Sequence, residues 1–106
     1  MDKQTRLKIL RDARELLAKP NGWIQGSFAR NKYGVATLIE SSTACSFCAW
    51  GAVRRASLLN GHDVPVEYDV TGIPDTNFIN FNDQPGRTKE EVLDYFDEII
   101  KKVENE

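Results

Sequence analysis

The chain has 106 residues, 41% apolar and 28% charged, with a net charge of −2. That is the composition of one soluble globular domain, large enough to fold without disulfides or metal. No apolar run approaches the ~20 residues of a membrane span. Residues 1–6 lead straight into an amphipathic pattern, with no sign of a signal or transit peptide, so the expected location is the cytoplasm. Charge is unevenly spread: residues 1–32 carry eight Lys or Arg against three Asp or Glu, and residues 62–106 carry four against twelve. A nucleic-acid reader would set aromatics among its cations, yet residues 1–19 contain none. The asymmetry is read instead as two helices packed together with opposite charges facing.

In chain order, four helical segments and one irregular arm are predicted. Leu7, Leu10, Ala13 and Leu17, widened by Ile9 and Leu16, give a first helix from about Lys3 to Lys19. Pro20-Asn21-Gly22 stops it. Trp23, Ile24, Phe28, Tyr33, Val35 and Thr37 are β-preferring types, and Asn31 to Gly34 offers a turn. A β-hairpin or extended arm at about 23–37 follows, anchored on the helices by Trp23 and Phe28, because a lone hairpin is barely stable.

Ser41, Ser42 and Thr43 supply N-caps for a central helix over about 43–60. Its stripe of Cys45, Cys48 or Ala49, Ala52, Ala56 and Leu59 is mostly small and lets two helix axes approach closely, and Asn60-Gly61 ends it. Residues 62–76 read as loop with an extended piece near 64–70. Asn77 to Phe81 form one short helical turn with Phe78, Ile79 and Phe81 directed inward. A polar loop holding Asn82 and Asp83 then meets Pro85-Gly86, and Thr88 with Glu91 has the spacing of a capping box. The last helix, 89–104, shows Val92, Phe96, Ile99 and Val103 on one face. The fold class is mainly α: a small helical domain of three long helices plus a short one.

Cys45 and Cys48 form a C-x-x-C. A redox dithiol would sit in a strand–helix–strand frame, which residues 1–40 do not suggest. Structural zinc needs four ligands, and these thiols with His62, the one histidine, supply three. The simplest reading makes both cysteines small buried residues on the central helix. A nucleophilic Cys45 near a helix N-terminus, with His62 as base and Asn82 or Asp83 orienting it, is the alternative. It suffers from geometry, since His62 lies at the far end of the helix. Asn82 and Asp83 offer a ligand or cation contact, aided by Arg87 for an anion, or else an Asx-type turn bonding local backbone. Trp23, Gln25 and Trp50 are the other residues placed around a pocket.

Gly22-Trp23-Ile24-Gln25-Gly26, Cys48-Ala49-Trp50-Gly51-Ala52 and Phe81-Asn82-Asp83-Gln84-Pro85-Gly86-Arg87-Thr88 with Glu91-Val92 together carry a likeness. The chain resembles a family of small bacterial and phage proteins of unknown function, marked by a Gly-Trp opening, a Cys-x-x-Gly-Ala helix and an aromatic-Asn-Asp loop before an Arg-Thr cap. The resemblance covers roughly residues 5–101. It implies one small domain with Trp23, Cys48, Asn82, Asp83 and Thr88 at matching positions, and Cys45 has no counterpart in it. The expectation is a binding or interaction module without catalytic activity, using Trp23, Cys48, Asn82, Asp83 and Arg87. Its partner is a protein or small molecule, with no membrane, metal or cofactor. The alternative is a hydrolase-like, thiol-dependent enzyme using Cys48 or Cys45.

Overall fold

A computed structural model describes residues 1–106. The element order is α1 (Lys3–Ala18), β1 (Ala29–Arg30), β2 (Ser46–Phe47), α2 (Ala49–Leu59), α3 (Glu67–Thr71), α4 (Asp75–Asp83) and α5 (Lys89–Glu104). The protein is thus mainly helical, with one small antiparallel two-stranded sheet.

α1 and α5 form the scaffold. Asp2 caps α1 by accepting the Thr5 N–H, and Thr88 with Glu91 closes the expected capping box on α5. Leu7, Leu10, Ala13 and Leu17 of α1 and Val92, Phe96, Ile99 and Val103 of α5 are buried. The charged fringes of the two helices face each other as the uneven charge predicts. Arg6 pairs with Glu106, Arg11 with Glu104 at 2.8 Å and Arg14 with Asp97 at 2.7 Å. At the opposite end, Lys89 Nζ donates to the Ala18 and Lys19 carbonyls, placing a cation at the negative end of α1. The pairing order makes the two helices antiparallel.

The central helix differs from expectation at its start. It begins at Ala49 with Cys48 as N-cap, not near residue 43. Residues 44–48 are instead extended, because their backbone is claimed from both sides. Phe47 exchanges hydrogen bonds with Gly22 and Ile24, while Cys45 N–H donates to the Arg30 carbonyl and Cys48 N–H to that of Phe28. The Ser41 and Thr43 hydroxyls bond each other, and Arg55 holds the Ile39 and Ser41 carbonyls. Neither cysteine therefore lies within the helix: Cys45 is exposed and Cys48 buried. Leu59 is also exposed, whereas Ala49, Ala52, Val53 and Ala56 are in the core.

The arm contains the expected hairpin in shorter form. The Asn31 carbonyl accepts from Gly34 N–H, the Asn31 side chain accepts from Tyr33 and Val35, and Ala36 bridges Arg30. Its inner strand pairs with β2, and Trp23 makes a parallel bridge to Phe47 on the far side. Phe28 is about half exposed, its ring tilted against Trp50 at 5.0 Å.

Helix also takes in residues expected as loop or extended chain, over 67–71 and on either side of the expected turn at 77–81. Residues 67–71 form α3, whose buried Glu67 lies 3.6 Å from Arg54 Nε of α2. The short turn at 77–81 is one part of α4, which spans nine residues and carries Asn82 and Asp83 on its last turn.

Gly51 tests this packing. It is the third residue of α2, and an alanine inside a helix ordinarily stabilises by up to ~1 kcal/mol over glycine. Here the added methyl would run into the Phe28 carbonyl oxygen. Gly51→Ala is expected to lower stability in urea unfolding by about 2–4 kcal/mol; a gain would disprove this account of the arm's seating.

Candidate functional site

α4 carries the residues from which the site is built. Phe78 and Asn82 are spaced i, i+4 and turn to one side of the helix, where both are buried. Ile79 and Asp83 repeat the spacing on the neighbouring face, which borders a cleft.

Asn82 is fully buried, so its amide must find partners inside the protein. Its Oδ1 accepts from Trp23 Nε1 at 2.6 Å and from the Ala49 N–H at 2.9 Å. Its Nδ2 donates to the Ile24 carbonyl at 3.1 Å and to Asp83 Oδ1 at 2.9 Å. The side chain thus ties the start of the arm, the first turn of α2 and the end of α4 together. An Asx-type turn is not what forms: apart from the contact with Asp83, these bonds reach distant segments. Gln25 adds to the joint by donating to the Asn82 and Gln84 carbonyls at 2.9 and 3.0 Å, which satisfies acceptors freed at the helix end. Asp83 Oδ1 also accepts the Gly26 N–H at 3.2 Å.

Cys48 lies next to this joint. Its Sγ accepts the Gly51 N–H at 3.3 Å. Burial pushes the thiol from the usual 9.0 to about 11; the Gly51 hydrogen bond opposes the shift and the Asp83 charge adds to it. A helix N-terminus favours thiolate, but desolvation dominates here. Cys48 is a neutral capping group at physiological pH.

The cleft has a volume of about 370 Å³. Phe28, Ala29, Ala36 and Ile79 give it apolar walls, Ser27 and Thr37 line it as well, Cys48 also faces it, and Asp83 supplies a carboxylate. Ser27, Ala29, Ala36 and Thr37 were not among the sequence candidates. Only the pairing of the arm brings them together, whereas the Ile79–Asp83 spacing was readable locally.

The structure gathers Trp23, Cys48, Asn82 and Asp83 at one joint and places Arg87 elsewhere. Arg87 Nε donates to the Phe81 carbonyl at 2.8 Å, and its guanidinium lies 3.8 Å over the Phe81 ring, which stacks on Tyr95. Arg87 lines a separate depression with Glu91, Asp94 and Glu98. Cys45 lines a third, beside Arg30 and Lys32. His62 follows the C-terminal end of α2, so the helix of eleven residues separates it from Cys48 by ~16 Å. No group of three or more His, Cys, Asp or Glu is placed to hold a metal ion, and no helix is long and apolar enough to cross a membrane.

The chain belongs to the DUF6197 family, a family of unknown function, whose model matches residues 1–102. No curated protein and no solved structure matches it.

Removing the Asn82 amide strands the Trp23 indole N–H and the Ala49 N–H. Asn82→Ala is expected to cost about 2–4 kcal/mol in urea unfolding, and Trp23→Phe should add much less on top of it than alone. Full additivity would show that the two side chains do not act together.

At pH 8, a disulfide reagent should modify one thiol of the native protein quickly, Cys45, and reach Cys48 only on unfolding. Between about pH 9 and 11 the unfolded chain releases the Cys48 proton while the folded chain keeps it. Its contribution is therefore fully present below pH 9 and is lost as pH rises, at most ~2–3 kcal/mol. Cys48→Ala should flatten that alkaline slope, measured by unfolding at several pH values.

Proposed function

We propose that this protein is a small binding module with no catalytic step of its own, and that it holds its ligand in the cleft between the arm and α4. The observation that carries this reading is the cleft itself: an apolar concavity with one carboxylate at its edge, fixed by the Asn82 joint. Small-molecule sites have this character, apolar walls with few placed polar groups. Within the reading, Asp83 and Cys48 face the ligand. Trp23 and Asn82 hold the cleft's shape from behind, and Arg87 fixes the turn after α4 rather than touching the ligand.

A small molecule, or a side chain presented by a protein partner, suits this cleft better than nucleic acid. Arg6, Arg11 and Arg14 of the basic N-terminal segment are engaged by acidic partners on or just beyond α5. Two unpaired cysteines accord with a reducing compartment, the cytoplasm of a bacterial or phage-infected cell. The thiol-enzyme alternative has less support. Cys48 is neutral and committed to capping α2, and the depression containing Cys45 is lined by two cations without a histidine or carboxylate.

Titrating a mixture of small fragments into the 15N-labelled protein tests the reading. Amide shifts should concentrate at residues 26–29, 36–37, 79 and 83, and Ile79→Trp, which fills the cleft, should abolish them. Shifts scattered over the surface, or unchanged in the tryptophan variant, would rule the cleft out as the binding site.

A further inference from the structure

We infer that the ligand of the cleft is a small organic cation, an ammonium group on a compact apolar body, with the ammonium seated on the free oxygen of Asp83. This rests on the binding reading above and goes beyond it by fixing the ligand's charge.

Asp83 is the one Asp, Glu, Lys, Arg or His lining the cleft, and burial keeps the Cys48 thiol neutral. Its Oδ1 is held by two neutral donors, the Gly26 N–H and Asn82 Nδ2. Oδ2 takes no hydrogen bond, and the carboxylate belongs to none of the protein's ion pairs. The guanidinium of Arg30, the basic group of this loop, is occupied by Ser27 Oγ and the Gln25 carbonyl. The carboxylate is therefore positioned by hydrogen bonds and has no ion-pair partner, although Arg30 keeps its charge near Gly26.

Its place in the fold adds to the negative potential. Asp83 is the last residue of α4, where the helix dipole is itself negative and a carboxylate is disfavoured. The N-terminus of α2 nearby has the opposite sign. Its Ala49 and Gly51 N–H groups are, however, consumed by Asn82 Oδ1 and Cys48 Sγ. An anion entering the cleft would meet Asp83, with no Lys or Arg among the lining residues. A cation meets an oriented, solvent-exposed carboxylate beside apolar walls and gains a modest, salt-sensitive attraction. The volume of about 370 Å³ admits a molecule of on the order of ten heavy atoms, taking ~30 Å³ for each water-sized group.

Three probes of nearly equal size separate the alternatives: 2-phenylethylamine as its ammonium ion, neutral 2-phenylethanol, and anionic phenylacetate. Each is titrated into the full 15N-labelled chain at low salt and neutral pH. The ammonium should bind severalfold more tightly than the alcohol and phenylacetate most weakly, with shifts at Gly26, Phe28 and Ile79. Asp83→Asn keeps an Oδ1 for the Gly26 N–H. It should lower the ammonium's affinity severalfold and leave the alcohol's unchanged, with thermal unfolding of the variant reporting its fold. If that variant does not fold, the wild-type comparison and its salt dependence decide. Ammonium binding should weaken severalfold from 20 to 300 mM salt, and alcohol binding should not change. Equal affinity for ammonium and alcohol overturns the cation inference while the cleft remains a binding site. Failure of all three probes to bind the wild-type cleft overturns both.

Discussion

The arrangement of the arm depends on one buried amide. Asn82 is wholly removed from solvent, and four hydrogen bonds satisfy it. A buried polar group lacking partners costs about 1–3 kcal/mol, so the three segments that meet it are constrained as a set. Trp23, Ile24 and Ala49 cannot shift independently without stranding a donor or an acceptor. A polar side chain in an otherwise apolar interior selects one arrangement among several that burial alone would permit. It does so where the arm, poor in regular structure, has few other means of choosing.

The constraint extends outward in two directions. Toward the arm, Gln25 and Asp83 hold residues 25 and 26 against the end of α4, and Gly51 lets the Phe28 backbone lie directly on α2. Toward α5, Arg87 lies on Phe81 and Phe81 on Tyr95, securing the turn that leaves α4. The cleft lies along the first of these connections. Its walls come from residues distant in sequence, and its one charge sits on a helix end already held in place.

How much was legible depended on whether the determining contacts were local. α1, α5, the Thr88–Glu91 capping box, the Asn31–Gly34 turn and the Asn60-Gly61 stop follow from spacing and turn chemistry within a few residues, and all are present. The start of α2 was hidden because its cap is a cysteine rather than Ser, Thr, Asp or Asn, and because Gly22 and Arg30 draw residues 45–47 into extended pairing. α3 has five residues and no side-chain cap, so it leaves little periodic signal, and its buried Glu67 reads as polar loop. Asn82 and Asp83 resembled a loop because Gln84-Pro85-Gly86 follows. The Phe78–Asn82 and Ile79–Asp83 spacings already described a helix with two faces. The likeness of family pattern pointed to Trp23, Cys48, Asn82 and Asp83, which meet at one joint, without indicating that Cys48 and Asn82 are buried while Asp83 is exposed.

The span of the Asn82 contacts bears on how the chain folds. The indole of Trp23 and the amide that receives it are 59 residues apart, and the Ala49 contact closes 33. Such long closures carry an entropic cost that is recovered only after the ends are already near one another. The α1–α5 pair closes longer spans still, 83 residues for Arg14 and Asp97 and 93 for Arg11 and Glu104. With strands of only two residues to hold it, the segment from 23 to 48 is expected to open sub-globally more readily than the α1–α5 pair. The cleft, walled largely by that segment, is expected to share its lower protection.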